Sequence, residues 1–166
     1  MIRKYNLKGE FYYDFKETGY RLLLLPSDVL TNLTLYCGIA IYHNEIKTVI
    51  DKTQKEIIID SIGVNGYRFA IDSASLLVGN FQSKLKLKYG WGDLAYFLRK
   101  CGTNLFLSAF KNIPEYIYRR IQLKFDKEVV DDEVFPEYDI EPLKIMVFFI
   151  RIMKQIVDRQ WQQIVL

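Results

Sequence analysis

The chain has few of the residues that catalytic and metal sites require. Its 166 residues include one histidine, His43, and two cysteines, Cys37 and Cys101. A structural zinc site needs three or four Cys or His ligands at close spacing. Cys37 and His43 lie six residues apart on one predicted helix, where they point away from each other. The G-x-S-x-G and phosphate-loop motifs are also absent. We therefore expect no cofactor, no metal and no enzymatic activity, with His43 as a surface or half-buried helix residue.

Long hydrophobic runs are lacking as well. The longest begins at Leu143 and is interrupted by Lys144 and Arg151, well short of the ~20 residues that span a bilayer. The first residues contain no apolar signal-peptide core. Two cysteines inside apolar stretches are typical of a reducing compartment. These features predict a cytoplasmic protein with no direct membrane span.

The composition is that of a folded domain rather than of a disordered chain. Hydrophobic residues make up 50% and charged residues 26% of the sequence, and the aromatic share of 15% is enough for an aromatic-rich core. The length of 166 residues is close to that of one domain. We predict a single domain over residues 1–166.

Apolar residues recur at helical spacing along most of the chain, which predicts a mainly α fold, a single compact helical domain. Gly38 lies inside the first predicted helix, where a glycine indicates close contact with another helix. Capping residues and glycines set the predicted helix ends. We predict helices over residues 29–50, 53–62, 67–78, 93–101, 105–111, 114–119 and 142–165, with N-caps at Ser27 or Asp28, at Thr53 and at Asp93, and with Gly63, Gly79 and Gly102 as helix ends.

Two short segments, residues 84–89 and 121–125, alternate polar and apolar residues and predict a minor two-stranded β element. The first presents Lys84, Lys86 and Lys88 on one side, with Trp91 nearby. Such a stripe fits a small nucleic-acid-binding protein, because lysines can follow phosphates while aromatic rings stack on bases. Lysines on an edge strand also prevent pairing with other molecules, and the formal net charge is only +3. We favour the second interpretation and expect no nucleic-acid partner.

Eight of the 20 acidic residues lie between Asp126 and Glu141, where Lys127 is the one basic residue. This stretch reads as a solvated connector between a basic body and a last helix, residues 142–166. A cation site is the alternative, but the glycine of a calcium-binding loop is missing. The first three turns of the last helix are apolar nearly all round, so we expect that helix to be buried.

The order of features from residue 20 to residue 125 resembles the SctK (YscK-type) family of type III secretion systems. An aromatic segment with Phe15 and Tyr20 leads to Leu25 and Pro26, and a Leu-rich stretch with Gly38 follows. The other points of resemblance are Ile62-Gly63, Phe69-Ala70-Ile71, the stretch Gly92 to Leu98, and the basic-then-alternating segment Arg119 to Phe125. Residues 20–125 are thereby identified as an SctK-like core.

The resemblance implies a non-enzymatic cytoplasmic adaptor of the type III secretion sorting platform, a role in protein transport and virulence. Its partners would be the inner-membrane ring protein SctD, through the ring protein's cytoplasmic domain, and the pods built from SctQ, with SctL and the ATPase SctN below. The protein would lie peripherally at the cytoplasmic face of the bacterial inner membrane. An immunity or anti-defence protein that covers a partner's active site stays open as an alternative.

An adaptor needs two separate surfaces, and the sequence offers two of opposite charge. Rim charges of this kind steer association, and Trp and Tyr are frequent buried anchors at interfaces. We predict partner-binding residues in a basic stripe, Lys84, Lys86, Lys88 and Trp91, and in an acidic stretch, Asp131, Asp132, Glu133 and Tyr138.

Overall fold

The structure of the protein, a computed structural model, describes residues 15–16, 18–79, 93–130 and 140–166. The mainly α fold is confirmed: these residues form ten α-helices and one 3₁₀ turn. The helices are α1 (Thr18–Arg21), α2 (Ser27–Ile41), α3 (His43–Lys47), α4 (Lys52–Asp72), α5 (Ala74–Val78), α6 (Leu94–Ser108), α7 (Glu115–Gln122), α8 (Lys127–Val130), α9 (Pro142–Ile156) and α10 (Arg159–Val165), and the 3₁₀ turn Leu22–Leu24 follows α1.

The predicted β element is wrong where the structure can test it. Ile121 and Gln122 form the end of α7, and the chain then turns through Leu123 to Phe125. Ile117, Ile121 and Phe125 are all buried at four-residue spacing, so the apolar side of this segment follows a helical rather than a strand period. No strand occurs in the described parts of the chain. The other predicted strand, residues 84–89, lies outside them.

The centre of the fold is a close antiparallel crossing of α2 and α6. Gly38 of α2 lies against the backbone of Leu98, and Gly102 of α6 lies against the backbone of Thr34. At either glycine a Cβ atom would overlap a carbonyl oxygen of the other helix. The contact predicted for Gly38 is therefore confirmed. Gly102 does not end a helix as predicted, because α6 continues to Ser108 and uses the missing side chain for packing.

Aromatic rings fill the space around this crossing. Phe106 of α6 packs against Phe110, Phe125 and Phe149, with ring centroids 5.0, 5.8 and 5.1 Å away. Phe149 belongs to α9, which also contacts α1, α2 and α5. The aromatic-rich core expected from the composition therefore joins the C-terminal helices to the central pair.

Several helix ends differ from their predictions. Asp51, not Thr53, caps α4 by accepting a 2.8 Å hydrogen bond from the Gln54 amide. Gly63, with φ 76° and ψ 161°, lies outside the helical region and divides α4 into two helical parts at a kink. The predicted helix end at Gly63 is therefore confirmed, and the second part continues to Asp72. Gly79, with φ 52°, does end α5 as predicted. Neither Ser27 nor Asp28 caps α2, since both lie inside it and Pro26 precedes it without a side-chain cap.

The N-terminus of α6 is capped from elsewhere in the chain. Asp93 was the predicted cap, but its side chain makes no capping hydrogen bond. Ser61 of α4 accepts the hydrogen bond from the Ala95 amide instead, at 3.0 Å. A helix terminus needs an acceptor for its first amides, and here tertiary packing supplies it from a residue 34 positions away.

Lys124, just after α7, forms hydrogen bonds with the segment that precedes α2. Its Nζ donates hydrogen bonds of 2.6 Å to the Leu23 carbonyl and 2.8 Å to the Leu25 carbonyl. The side chain is half-buried, and this burial lowers the pKa of Lys124. Lys124 thus binds one carbonyl inside the 3₁₀ turn and one just after it, and these hydrogen bonds offset part of the cost of burying its charge.

Candidate partner-docking surface

The side chains that could do chemistry are used for structure. His43 is 2% exposed, so the prediction of a surface or half-buried residue is wrong. Tyr42 breaks the helix before it, and the imidazole turns inward, where its Nδ1 lies 2.8 Å from the Ala40 carbonyl oxygen. Within the described ranges, no group of three or more His, Cys, Asp or Glu side chains could hold a metal ion.

Both cysteines are buried and free of disulfides. Burial raises the pKa of Cys37 well above its usual range and raises the pKa of Cys101 to about 12. The thiolate is the nucleophilic form of cysteine, and at neutral pH these two thiols keep their protons. Cys37 and Cys101 are therefore packing residues of the α2–α6 crossing.

The buried polar residues of the α2–α6 crossing also have structural partners. Thr103 of α6 donates a 3.3 Å hydrogen bond to the hydroxyl of Thr34 in α2, which donates in turn to the Thr31 carbonyl. Lys100 is 1% exposed, with its Nζ 5.5 Å from the centre of the Tyr96 ring. Thr34, Thr103 and Lys100 are therefore held by contacts within the fold. Two other buried atoms of α6, Arg99 Nε and Asn104 Nδ2, have no hydrogen-bond partner among the described residues.

Two exposed apolar residues lie one turn apart on α9. Ile145, Phe148, Phe149 and Ile152 face the core. Leu143 and Val147, one turn apart, are 68% and 40% exposed. The prediction that this helix is buried all round is therefore wrong for one face. We call Leu143 and Val147 the α9 ridge.

A groove runs along each side of the α9 ridge. The larger, the α1 groove, has a volume of about 650 Å³, and the smaller, the α5 groove, has a volume of about 350 Å³. Leu143 and Val147 line both grooves. The α1 groove is otherwise lined by Lys16, Gly19, Tyr20, Ala109, Asn112, Ile113, Pro142, Met146 and Ile150, and the α5 groove by Leu77, Val78, Gly79, Lys144, Phe148 and Arg151.

The approach of α1 to α9 that forms the larger groove depends on a glycine. A Cβ atom at Gly19 would overlap the Sδ atom of Met146. The missing side chain lets α1 lie close to α9, and Met146 then fills the floor of the groove between them. Tyr20 also lines this groove, and its ring centroid lies 6.0 Å from that of Phe110.

Among the described residues that line the two grooves, those with a charge are all basic. Lys16 lies at the α1 groove, and Lys144 and Arg151 lie at the α5 groove. Lys144 makes a 2.8 Å ion pair with Glu141, and its hydrogen bond lowers the pKa of that carboxyl. Glu141 is not among the lining residues of either groove. In the described residues the apolar ridge thus has bases on both flanks, and one of them, Lys144, is already paired with Glu141.

The α9 ridge is not among the partner-binding residues predicted from the sequence. Lys84, Lys86, Lys88, Trp91, Asp131, Asp132, Glu133 and Tyr138 all lie outside the described residues, so their role stays a prediction. A signal for the α9 ridge was present in the sequence. Apolar residues at 143, 147 and 150 form a second stripe beside the one that faces the core, and an ordinary surface helix needs only one.

The chain matches a known protein family. The family model of YOP proteins translocation protein K (YscK) matches residues 1–145. The chain belongs to the YscK family. The resemblance seen over residues 20–125 is therefore confirmed, and YscK is a family of type III secretion proteins that is not known as an enzyme family. The match ends inside α9, so Val147 and Arg151 lie beyond it.

No curated protein and no solved structure matches this YscK-family chain. In the described ranges, none of its helices combines the length and the apolar character needed to cross a membrane.

Proposed function

We propose that this YscK-family protein is a non-enzymatic adaptor of the type III secretion sorting platform. It links the cytoplasmic domain of the SctD-type inner-membrane ring protein to the SctQ-type pod protein, with SctL and the ATPase below. It acts in the cytoplasm, peripherally at the inner membrane. The observation that carries this proposal is the family match over residues 1–145.

Two features of the described structure support an adaptor. The backbones of α2 and α6 are in direct contact at Gly38 and Gly102, so the centre of the molecule has little freedom to deform. The α9 ridge offers exposed apolar residues beside shaped grooves, which is typical of a protein-binding surface. A rigid body with such a surface suits a protein that holds others in place.

The proposal is tested in the bacterium that carries the gene. A strain with the gene deleted should stop exporting type III substrates and should regain export when the gene is restored. The tagged protein, expressed at its natural level, should retrieve both the SctQ-type and the SctD-type proteins. If export continues without the gene, or if neither protein is retrieved, the adaptor function is refuted.

A further inference from the structure

We propose that the α9 ridge and its two grooves bind an acidic amphipathic helix of a sorting-platform protein. The inference rests on the proposed function, because that function supplies the partner. It adds the surface of this chain that is used and the chemistry that the surface recognises.

The shape of the surface indicates a helix as the ligand. Leu143 and Val147 project as one row, and a groove lies on each side of that row. Helices pack by placing a ridge of one between two rows of side chains of the other. A partner helix that lies along α9 can therefore put one apolar row into the α1 groove and a second into the α5 groove. The apolar residues of the partner helix that enter the grooves would recur every three or four positions, as in other helices that bind in grooves.

The charges of the surface indicate that this helix is acidic. Lys16 lies on one flank of the ridge, and Lys144 and Arg151 lie on the other. Both Lys144 and Arg151 are exposed, as is Lys154 one turn further along α9. A partner with carboxylates beside its apolar rows would meet bases on both sides. Charge of this kind raises the association rate and makes binding depend on salt.

The same charges argue against a second copy of this chain as the ligand. A two-fold symmetric contact brings the same surface of both copies together. The bases Lys144 and Arg151 of one copy would then lie close to the same bases of the other copy, and like charges in contact oppose association. An anionic lipid surface would satisfy the bases, but a fluid bilayer has no fixed rows of side chains to fit the two grooves beside the ridge.

The test measures binding of the full chain to the purified SctQ-type protein and to the purified SctD-type cytoplasmic domain from the same organism. Leu143→Glu and Val147→Glu should each weaken the complex with one of these two proteins by at least ~10-fold, because they place a carboxylate where an apolar contact and an acidic partner are expected. Val64→Glu is the matched control, since Val64 is a 54% exposed apolar residue on α4, outside both grooves. It should leave binding within about twofold.

The charge is tested separately with the double variant Lys144→Glu and Arg151→Glu. It should slow association with the same partner and flatten the dependence of the association rate on salt. Lys47→Glu on α3, an exposed lysine away from both grooves, is the matched control and should change neither. All variants are first checked for wild-type unfolding curves.

A photo-crosslinking amino acid at position 147 then identifies what touches the ridge. A crosslink to a helical, acidic segment of the SctQ-type or SctD-type protein supports the proposal. A crosslink to a basic or uncharged segment overturns it. So does a crosslink to this chain itself, or binding of the wild type to vesicles of phosphatidylglycerol and phosphatidylethanolamine that Val147→Glu abolishes.

The adaptor function and the docking surface can fail separately. If the wild type binds a platform protein and the α9 variants bind it equally well, the docking surface is wrong and the adaptor function stands. If the wild type binds neither platform protein, both the adaptor function and the docking surface fall.

Discussion

Gly102 in α6 rests on the backbone of Thr34 in α2, and no other residue type fits at that position. A side chain there would overlap the Thr34 carbonyl oxygen, and a backbone atom within a packed helix cannot turn aside as a side chain can. The same relationship recurs four residues along each helix, where Gly38 meets Leu98. This pair of contacts sets the distance between the two central helices and so positions everything packed around them.

We expect Gly102→Ala to destabilise the protein by about 3 kcal/mol or more, at or beyond the upper end of the usual cost of overpacking. Gly66→Ala is the control, because its new Cβ atom would lie 3.2 Å from Ile39 Cδ1, the movable end of a side chain. That variant should change the free energy of unfolding by less than about 1 kcal/mol, since alanine also favours the helix. Urea unfolding measures both, and equal stability of the two variants would contradict the described contact.

The capping of α6 from α4 gives a second prediction. Ser61→Ala should cost about 1 kcal/mol, because the Ala95 amide loses its acceptor. Asp93→Ala at the position predicted from sequence should cost much less, since the Asp93 side chain makes no capping bond. Thermal unfolding of the two single variants distinguishes them. A larger loss of stability for Asp93→Ala than for Ser61→Ala would show that Asp93 caps α6 and that Ser61 does not.

Lys124→Met should also destabilise the protein. The variant keeps an apolar stem but loses the hydrogen bonds to the carbonyls of Leu23 and Leu25. Hydrogen bonds from a charged group contribute about 1.5–3 kcal/mol, and exposure of the half-buried lysine to water reduces that figure here. Urea unfolding at neutral pH should show a loss of about 1–2 kcal/mol. An unchanged midpoint would mean that these bonds do not hold the N-terminal segment in solution.

The difference in stability between the wild type and Lys124→Met should depend on pH, and the direction of this dependence follows from the pKa of Lys124. Because burial lowers the pKa of Lys124, the unfolded chain binds this proton more tightly than the folded protein does. Between the lowered pKa and the ordinary value of 10.5, the free energy of unfolding therefore rises with pH. The stability of the wild type relative to Lys124→Met should increase over this window. A decrease would show that the folded state holds the proton more tightly.

Truncation to alanine should lower the stability of the protein on the buried face of α9 and leave it nearly unchanged on the exposed face. Ile145→Ala removes a fully buried side chain and should cost about 2–5 kcal/mol. Leu143→Ala, two residues earlier and 68% exposed, should stay within about 0.5 kcal/mol of the wild type. Denaturant unfolding compares them directly. A large loss for Leu143→Ala would show that the α9 ridge belongs to the core and is not a surface.

The thiols should be unreactive in the folded protein. Cys37 and Cys101 are buried, and burial raises the pKa of both. A thiol-specific reagent such as Ellman's reagent should therefore label neither cysteine in native buffer and both in concentrated guanidinium chloride. Fast labelling of one cysteine under native conditions would contradict its position in the α2–α6 crossing.

The helical class of the protein, several of its boundaries and its family were all determined by the sequence. Apolar residues at helical spacing predict a helix from the local sequence alone, because the spacing depends only on the geometry of the helix itself. Pro114 at the start of α7 and Gly79 at the end of α5 act through their own backbone conformations, so both were predicted correctly. Gly38 was also read correctly, because a glycine inside a strong helix pattern has few uses other than close packing.

Tertiary structure alone decided what depends on residues far apart in the chain. Gly63, Gly79 and Gly102 were all predicted as helix ends. Gly63 and Gly79 do end helical segments, but Gly102 lies inside α6, where it contacts the backbone of Thr34. Ser61 caps α6 because folding brings α4 to its first turn, and no local pattern contains that information. The sequence shows that α9 has two apolar stripes, but only the packing of Ile145 into the core and of α1 and α5 beside Leu143 shows which stripe faces outward. Burial is a property of the assembled chain, and for that reason the sequence shows the two stripes of α9 but does not show which of them is exposed.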